Sequence, residues 1–297
     1  FLAITESNMD EFISVRFANA YKHQDEEPYK EILSQIIKFN HAQEVIFSDL
    51  HNYLKEKKKL EIVKIKTLSK KEKESLYRRY YQSIFPLLTP VIINSGNYSP
   101  NLISGQLCIG VTLKKDNKEV LCVIPISNEI DHLISLDKQH YVLIEDIIKS
   151  FAGKSLFINE EITNICSFRM IKDASIILSH DNNRFIVDRM EEVLQKRQNS
   201  EPIFLEIEKS ASDELERILI HAFHVPPKHI YRSSVMLKYK RFMSPLLSEE
   251  DSYESFEPFV FENYENYFSL FDALKDRDIL LHHPYDSYET VVKFIQH

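Results

Sequence analysis

Asp278–Phe294 reads D-I-L-L-H-H-P-Y-D-S-Y-E-T-V-V-K-F and has the plainest local architecture in the chain. Ile279–Leu281 is a short apolar run. Pro284 has no N–H and biases His283 away from helical angles, so the pattern predicts a buried strand turning through His-Pro-Tyr into a helix. Ser287 is placed to cap that helix by accepting from an early N–H, with Glu289 near the positive end of the dipole. Val291, Val292 and Ile295 supply its apolar face. Strand, turn and helix are half of a βα unit, and a parallel strand should follow. The sequence stops at His297 and starts at Phe1 rather than Met, so it reads as truncated.

Outward from that stretch, 297 residues suffice for two domains, and 43% hydrophobic content is ordinary for globular folds. The three cysteines, Cys108, Cys122 and Cys166, form no CxxC pair and cannot pair off completely, which argues against a disulfide framework or zinc ribbon and for a reducing cytoplasm. No apolar run approaches the roughly 20 residues needed to span a bilayer, and no signal peptide is visible, so a soluble cytoplasmic protein without a transmembrane segment is expected. A net charge of −8 opposes a general grip on polyanions and predicts no nucleic-acid partner. Lys55–Lys73 is locally basic and reads as a solvated face. With four glycines no GxGxxG is possible, and Gly153-Lys154-Ser155 fails as a P-loop because Ile148 stands five positions before Gly153; it reads as a turn.

Along the chain, Phe1–Thr5 resembles a helix end, with Ser7 and Asn8 as capping residues before a second helix whose face carries Met9, Phe12, Ile13, Phe17 and Ala20. Arg16 falls in the middle of that face and needs an anionic partner or must snorkel. Asp25-Glu26-Glu27-Pro28 breaks the helix, and from Tyr29 the positions Ile32, Leu33, Ile36, Phe39, Ile46, Phe47, Leu50 and Leu54 predict one long amphipathic helix. Glu72–Phe85 is a further helix. Leu107–Leu113 and Val120–Pro125 flank the polar Lys114–Glu119 as a β-hairpin. Val142–Ser150 reads as helix, Phe168–Ile171 as strand, Arg184–Lys196 as helix, Ile203–Ile207 as strand and Asp213–Phe223 as helix. Without strict βα alternation this is α+β. Ser248–Glu265, rich in acids, reads as an exposed connector.

D-I-L-L-H-H-P-Y-D-S-Y closely resembles the entrance to the first catalytic domain of bacterial polyphosphate kinases. The resemblance runs collinearly through F-L-A-I-T-E-S-N-M-D-E-F-I-S-V-R-F-A at Phe1–Ala18, F-P-L-L-T-P at Phe85–Pro90 and F-R-M-I-K-D-A at Phe168–Ala174. It implies a multidomain α+β chain: a helical N-terminal domain at 1–70, an α+β middle, dimerisation domain at 71–258, and at 259–297 the first βα unit of a truncated phospholipase D-like α/β domain. It implies a phosphotransferase that moves the ATP terminal phosphate reversibly onto inorganic polyphosphate, with Mg2+, through a phosphohistidine beyond this sequence, in a dimer or tetramer. The fragment alone is expected to be inactive, with no catalytic or metal-binding residue of its own. Two segments depart from the family, Asn97–Asn101 and Pro125-Ile126-Ser127, both in the middle domain.

Asn8 is the candidate ATP-binding residue. Its amide donates and accepts, as reading an adenine edge requires, and the resemblance implies that contact; a helix N-cap would suit it equally. Asp10 and Arg16 are assigned to docking the helical domain against the catalytic half, and Arg169 and Asp173 to pinning strand to neighbour, with lining of the active-site mouth as the alternative. His282 and His283 could serve phosphohistidine chemistry but are read as closing a strand end. His221, His224 and His229 could suggest a metal site, yet lack a third well-placed ligand and are read as surface or capping residues. The rivals are a non-catalytic nucleotide-contacting and dimerisation module, and a phospholipase D-like transferase of another substrate.

Overall fold

Seven of the nine residues of Leu107–Lys115 are buried, so this strand must be covered on both faces, and the rest of the middle of the chain is arranged to do so. The computed structural model describes residues 1–22, 26–93, 102–115, 118–175, 200–235, 238–243, 254, 256–260 and 269–296. Its strands are β1 (Glu61–Ile62), β2 (Val91–Ile93), β3 (Leu107–Lys115), β4 (Lys118–Pro125), β5 (Leu133–Ser135), β6 (His140–Leu143), β7 (Glu161–Lys172), β8 (Pro202–Glu208) and β9 (Ile230–Ser233). Its helices are α1 (Leu2–Phe12), α2 (Ala18–Lys22), α3 (Glu26–Tyr53), α4 (Lys70–Arg79), α5 (Ile144–Ser155), α6 (Asp213–Phe223), α7 (Leu270–Asp276) and α8 (Glu289–Gln296). Phe1–Ser244 forms one compact unit and Pro245–His297 another.

In the first unit a six-stranded sheet has the order β2-β4-β3-β7-β8-β9, antiparallel except for the parallel β8–β9 pair that α6 connects. A small sheet runs β1-β6-β5. One face of the large sheet packs Leu107, Ile109 and Val111 against Ile144, Ile147 and Ile148 of α5 and Leu76 and Tyr80. The other packs Cys108, Phe168, Leu205 and Ile207 against Leu215, Leu219 and Phe223 of α6. Gly110 permits that second face to close: a Cβ there would stand 3.3 Å from the Phe168 ring and 3.6 Å from Leu219. The N-terminal helices dock through Ile13, Phe17, Leu33 and Ile36 onto Ile171 and Phe204. No helix among the described residues is long and apolar enough to cross a membrane.

The hairpin, the strands at Phe168–Ile171 and Ile203–Ile207 and the helix at Asp213–Phe223 stand where the sequence pattern puts them. Ser69 starts α4 with a reciprocal capping box to Glu72, and a π turn at Tyr80–Ile84 carries it toward Pro86. Lys55, Lys57, Lys66 and Lys71 are solvent-facing, as a solvated basic face should be. Arg184–Lys196 and most of Ser248–Glu265 lie outside the described residues, as do Asn97–Asn101.

Several expectations are corrected. Ser7 and Asn8 cap nothing, because α1 runs unbroken from Leu2 past both. Arg16 is exposed: a π turn at Ile13–Phe17 takes in more residues per turn, buries Ile13 and Phe17 and leaves Arg16 facing outward. As expected, one helix ends before residues 25–28, with α2 described to Lys22, and another follows; but residues 26–28 already belong to the opening turn of α3, where the missing N–H of Pro28 costs nothing. The second half of α3 buries Gln43, Glu44 and Phe47 and exposes Ile46 and Leu50. Val142 and Leu143 belong to β6, and Gly153-Lys154-Ser155 closes α5 as helix, with Tyr80 Oη and Ser155 Oγ hydrogen-bonded at 2.7 Å.

In the second unit Ile279–Leu281 is not a buried strand. Leu280 is 91% exposed, and no ladder partner exists among the described residues. The local order comes instead from a parallel bridge between Phe259 and Asp286, with the Phe259 N–H on the Tyr285 carbonyl and the Ser287 N–H on the Phe259 carbonyl, both 2.8 Å. Ser287 does accept from the Glu289 N–H at 3.2 Å, so the capping assignment holds. In α8, however, Thr290 is the buried residue and Val292 and Ile295 are exposed. Phe271 of α7 meets Phe294 of α8, ring centroids 5.1 Å apart.

Candidate functional site

Asn8 stands in the middle of α1, exposed, and its amide has no hydrogen-bond partner among the described residues. One turn before it Ile4 is 49% exposed, and one turn after it Phe12 is 39% exposed, so the amide is framed by apolar surface on the same helix face. Phe12 and Met9 also line a groove of ≈ 680 Å³ between α1 and α3, with Ile32, Gln35, Ile36 and Phe39 on the other wall. An amide edge set among apolar side chains is the composition a nucleobase needs, an aromatic face to cover and an edge to pair.

The opposite side of α1 is fastened to the sheet by charge. Arg169 of β7, 4% exposed, places Nη1 2.8 Å from Glu6 Oε1 and 3.0 Å from Asp10 Oδ2, and its Nε donates to Glu206 Oε2 at 2.5 Å. Asn40 of α3 donates to Glu206 Oε1 at 3.2 Å. Lys240 donates from its backbone N–H to Glu6 Oε2 at 2.5 Å and lies with Nζ 3.4 Å from Asp10 Oδ2. Three carboxylates thus share one guanidinium and one ammonium. Burial pushes the Glu6 and Glu206 carboxyls above their ordinary values, with Arg169 pulling the other way. Burial works against the Arg169 charge too, but Glu206, Asp10 and Glu6 outweigh it and hold the guanidinium firmly protonated.

The structure brings Asp10 and Arg169 into one cluster within the first unit, with Asp10 turned toward the sheet. Asp173 accepts from the Ser175 N–H at 2.8 Å and pairs with Lys22, pinning the end of β7 to α2 as expected of a strand-to-neighbour contact. Glu6, Glu206 and Lys240 went unremarked in the sequence. Their signal was a polar residue at an inward position: Glu6 on the stripe of Ala3 and Ile13, and Glu206 within the buried run of β8.

His221 is exposed and His224 is the left-handed C-cap of α6, both as read from sequence. His229 is not at the surface. It is fully buried, with Nδ1 2.8 Å from the Ile203 carbonyl and Nε2 bonded to Tyr29 Oη; burial lowers its pKa, the Ile203 bond opposing. His282 and His283 are exposed in the turn before α8, where Asp286 accepts from the His282 N–H at 2.7 Å and its carbonyl meets His283 Nδ1 at 2.8 Å. Among the described residues no group of three or more His, Cys, Asp or Glu could hold a metal ion. The acids nearest to such a group, Glu6, Asp10 and Glu206, are filled by a guanidinium, so magnesium does not fit this cluster.

Two family models match the chain. One is described as the polyphosphate kinase N-terminal domain, over residues 1–89, and the other as the polyphosphate kinase middle domain, over residues 71–244. Polyphosphate kinase from Halalkalibacterium halodurans is 26% identical over 322 residues, covering 99% of this chain and 46% of that protein. The one from Helicobacter pylori is 25% identical over 325 residues, covering 100% of this chain and 48% of its own length. The chain therefore spans less than half the length of these relatives. The crystal structure of polyphosphate kinase from Porphyromonas gingivalis superposes with a TM-score of 0.69 at 22% identity, over 99% of this chain and 44% of that one, a likeness of fold.

Proposed function

Because the chain belongs to the polyphosphate kinase family, we propose that it is the front portion of an ATP:polyphosphate phosphotransferase, in which Asn8 reads the adenine edge of ATP. The full protein moves the terminal phosphate of ATP reversibly onto inorganic polyphosphate, with magnesium neutralising phosphate charge and a phosphohistidine carrying the group. Residues outside this sequence supply that histidine and the magnesium site. The helical region 1–70 presents Asn8, the region 71–258 forms the homo-oligomer, and 259–297 opens the phospholipase D-like catalytic part. ATP, ADP and polyphosphate are its partners in the cytoplasm, and nucleic acid is not.

The observation that carries this reading is the free, exposed amide of Asn8 in mid-helix. An asparagine there does no capping and costs helix propensity relative to alanine, so it supplies nothing to the helix and its amide is left for a ligand. The test is ATP saturation of the full-length enzyme. Asn8→Asp keeps the size and loses the donor, and Asn8→Ala loses both groups; each is expected to raise the KM for ATP about fivefold to thirtyfold with kcat little changed. Unchanged saturation, with unchanged preference for ATP over GTP, removes the assignment. Incubating this chain alone with labelled ATP, magnesium and polyphosphate is expected to leave no protein-bound phosphate. An acid-labile phosphoryl group on it would return His282 or His283 to consideration.

A further inference from the structure

The part of α1 that bears Asn8 is held by charge, with Leu2 and Met9 adding only partly buried apolar contacts, where the stretch that follows is held by fully buried apolar side chains. Its sheet-facing residues are Ala3, Glu6 and Asp10, and large buried apolar side chains begin only at Ile13. A helix turns about 100° per residue, so Asn8 stands about 200° from both Glu6 and Asp10, on the far side of the axis. The two acids bracket it evenly: Arg169 Nη1 donates to Asp10 Oδ2 at 3.0 Å and forms an ion pair with Glu6 Oε1 at 2.8 Å that lacks hydrogen-bond geometry, while the Lys240 N–H holds Glu6 Oε2 at 2.5 Å. Arg169 is itself fixed, because its Nε is spent on Glu206 at 2.5 Å and Glu206 is tied to α3 through Asn40. Apolar contacts tolerate a small roll of a helix, whereas charge-assisted hydrogen bonds are directional. The roll of α1 decides where the Asn8 amide points.

We propose that Arg169 is a positioning residue for the base contact: by gripping Glu6 and Asp10 it sets the rotation of α1 that aims Asn8 at its ligand. This rests on the reading of Asn8 given above. Lysine cannot replace it. A single ammonium cannot serve Glu206 on one side and the two α1 acids on the other, which the planar guanidinium does with separate nitrogens. Asp10→Asn is the gentler perturbation, since it keeps the shape and weakens one arm of the grip.

The experiment is a double-mutant cycle in the full-length enzyme with Arg169→Lys, Asn8→Ala and the pair, reading KM for ATP, kcat and the ATP-to-GTP preference. Arg169→Lys is expected to raise the KM for ATP about fivefold or more and to erode the preference for ATP, with kcat within about twofold. Once Asn8 is alanine, the same change should add less than about twofold, because there is no longer an amide to aim. Asp10→Asn, the variant to use if Arg169→Lys does not fold, should follow the same pattern at smaller size. Independent factors that multiply in the double variant, or an unchanged KM in folded Arg169→Lys and Asp10→Asn enzymes while Asn8→Ala is impaired, would overturn the positioning role alone. An unimpaired Asn8→Ala enzyme would overturn the base contact and this inference with it.

Discussion

Phe168 and Arg169 are neighbours in β7, so they point to opposite faces of the same sheet, and each anchors a helix by a different kind of force. Phe168 meets Leu219 and Phe223 of α6 across a dry apolar layer. Arg169 meets Glu6 and Asp10 of α1 through ions. The apolar side contributes stability and is tolerant of small displacements. The ionic side contributes little net stability, because the desolvation of three carboxylates and a guanidinium offsets their attraction, but it admits one geometry. A fold that needs only to stay closed can use the first, and a helix that must present a side chain in one direction gains from the second.

The largest effect should come from Phe168→Ala, which leaves a cavity facing α6 and is expected to cost about 3 to 5 kcal/mol, read as a drop in urea midpoint that does not vary with pH. Arg169→Met is expected to cost about 3 kcal/mol near pH 7, and here the pH dependence separates the two faces. Burial raises the Glu6 and Glu206 carboxyls above their unfolded values, so their protonated forms favour the fold at low pH and that contribution is lost as pH rises through the raised values. The Arg169→Met deficit should therefore shrink on acidification, and a deficit flat in pH would break the distinction.

A second group on the charged side gives an intermediate effect with the opposite sign. Burial of His132, with Lys238 and Arg241 nearby, pushes its pKa down to about 4 from 6.5, the backbone of Ser127 opposing. A depressed histidine contributes stability above its unfolded value that is lost as pH falls through the folded one. Unfolding titrations between pH 6.5 and 4 should show a loss of roughly 2 kcal/mol, allowing for partial exposure, that His132→Phe removes. The smallest contrast lies at the helix starts. Ser212 accepts from the Leu215 N–H at 3.1 Å, so Ser212→Ala should cost about 1 kcal/mol, whereas Asn8→Ala should leave stability within about 0.5 kcal/mol because Asn8 caps nothing. Equal losses in the two would return Asn8 to a structural role.

What was legible in the sequence was local. The period of Leu215, Leu219 and Phe223 after Ser212 marks α6 without any knowledge of the sheet, and the apolar runs around Lys114–Glu119 mark the hairpin. What was illegible depended on distant partners. Three apolar residues at Ile279–Leu281 carry no information about whether a neighbouring strand exists, and alternation cannot show that Glu206 is inside until Arg169 is placed beside it. The π turn at Ile13–Phe17 defeated the helical count at Arg16, because one widened turn shifts the phase of every residue after it. The capping alternative for Asn8 fell to a helix that starts seven residues earlier than the pattern suggested.

Gly105 has φ +71, and a Cβ built on it would stand 3.2 Å from Asp10 Oδ2. Its own N–H is committed to the Met170 carbonyl at 2.7 Å, next to Arg169 in β7. The turn and the helix therefore do not vary independently. Any side chain at position 105 strains the left-handed backbone and presses on the carboxylate that Arg169 holds, so a substitution in the turn is transmitted to α1. A turn residue far from α1 in sequence thus sets how closely the carboxylate at position 10 can approach, and so the grip on the helix that displays Asn8.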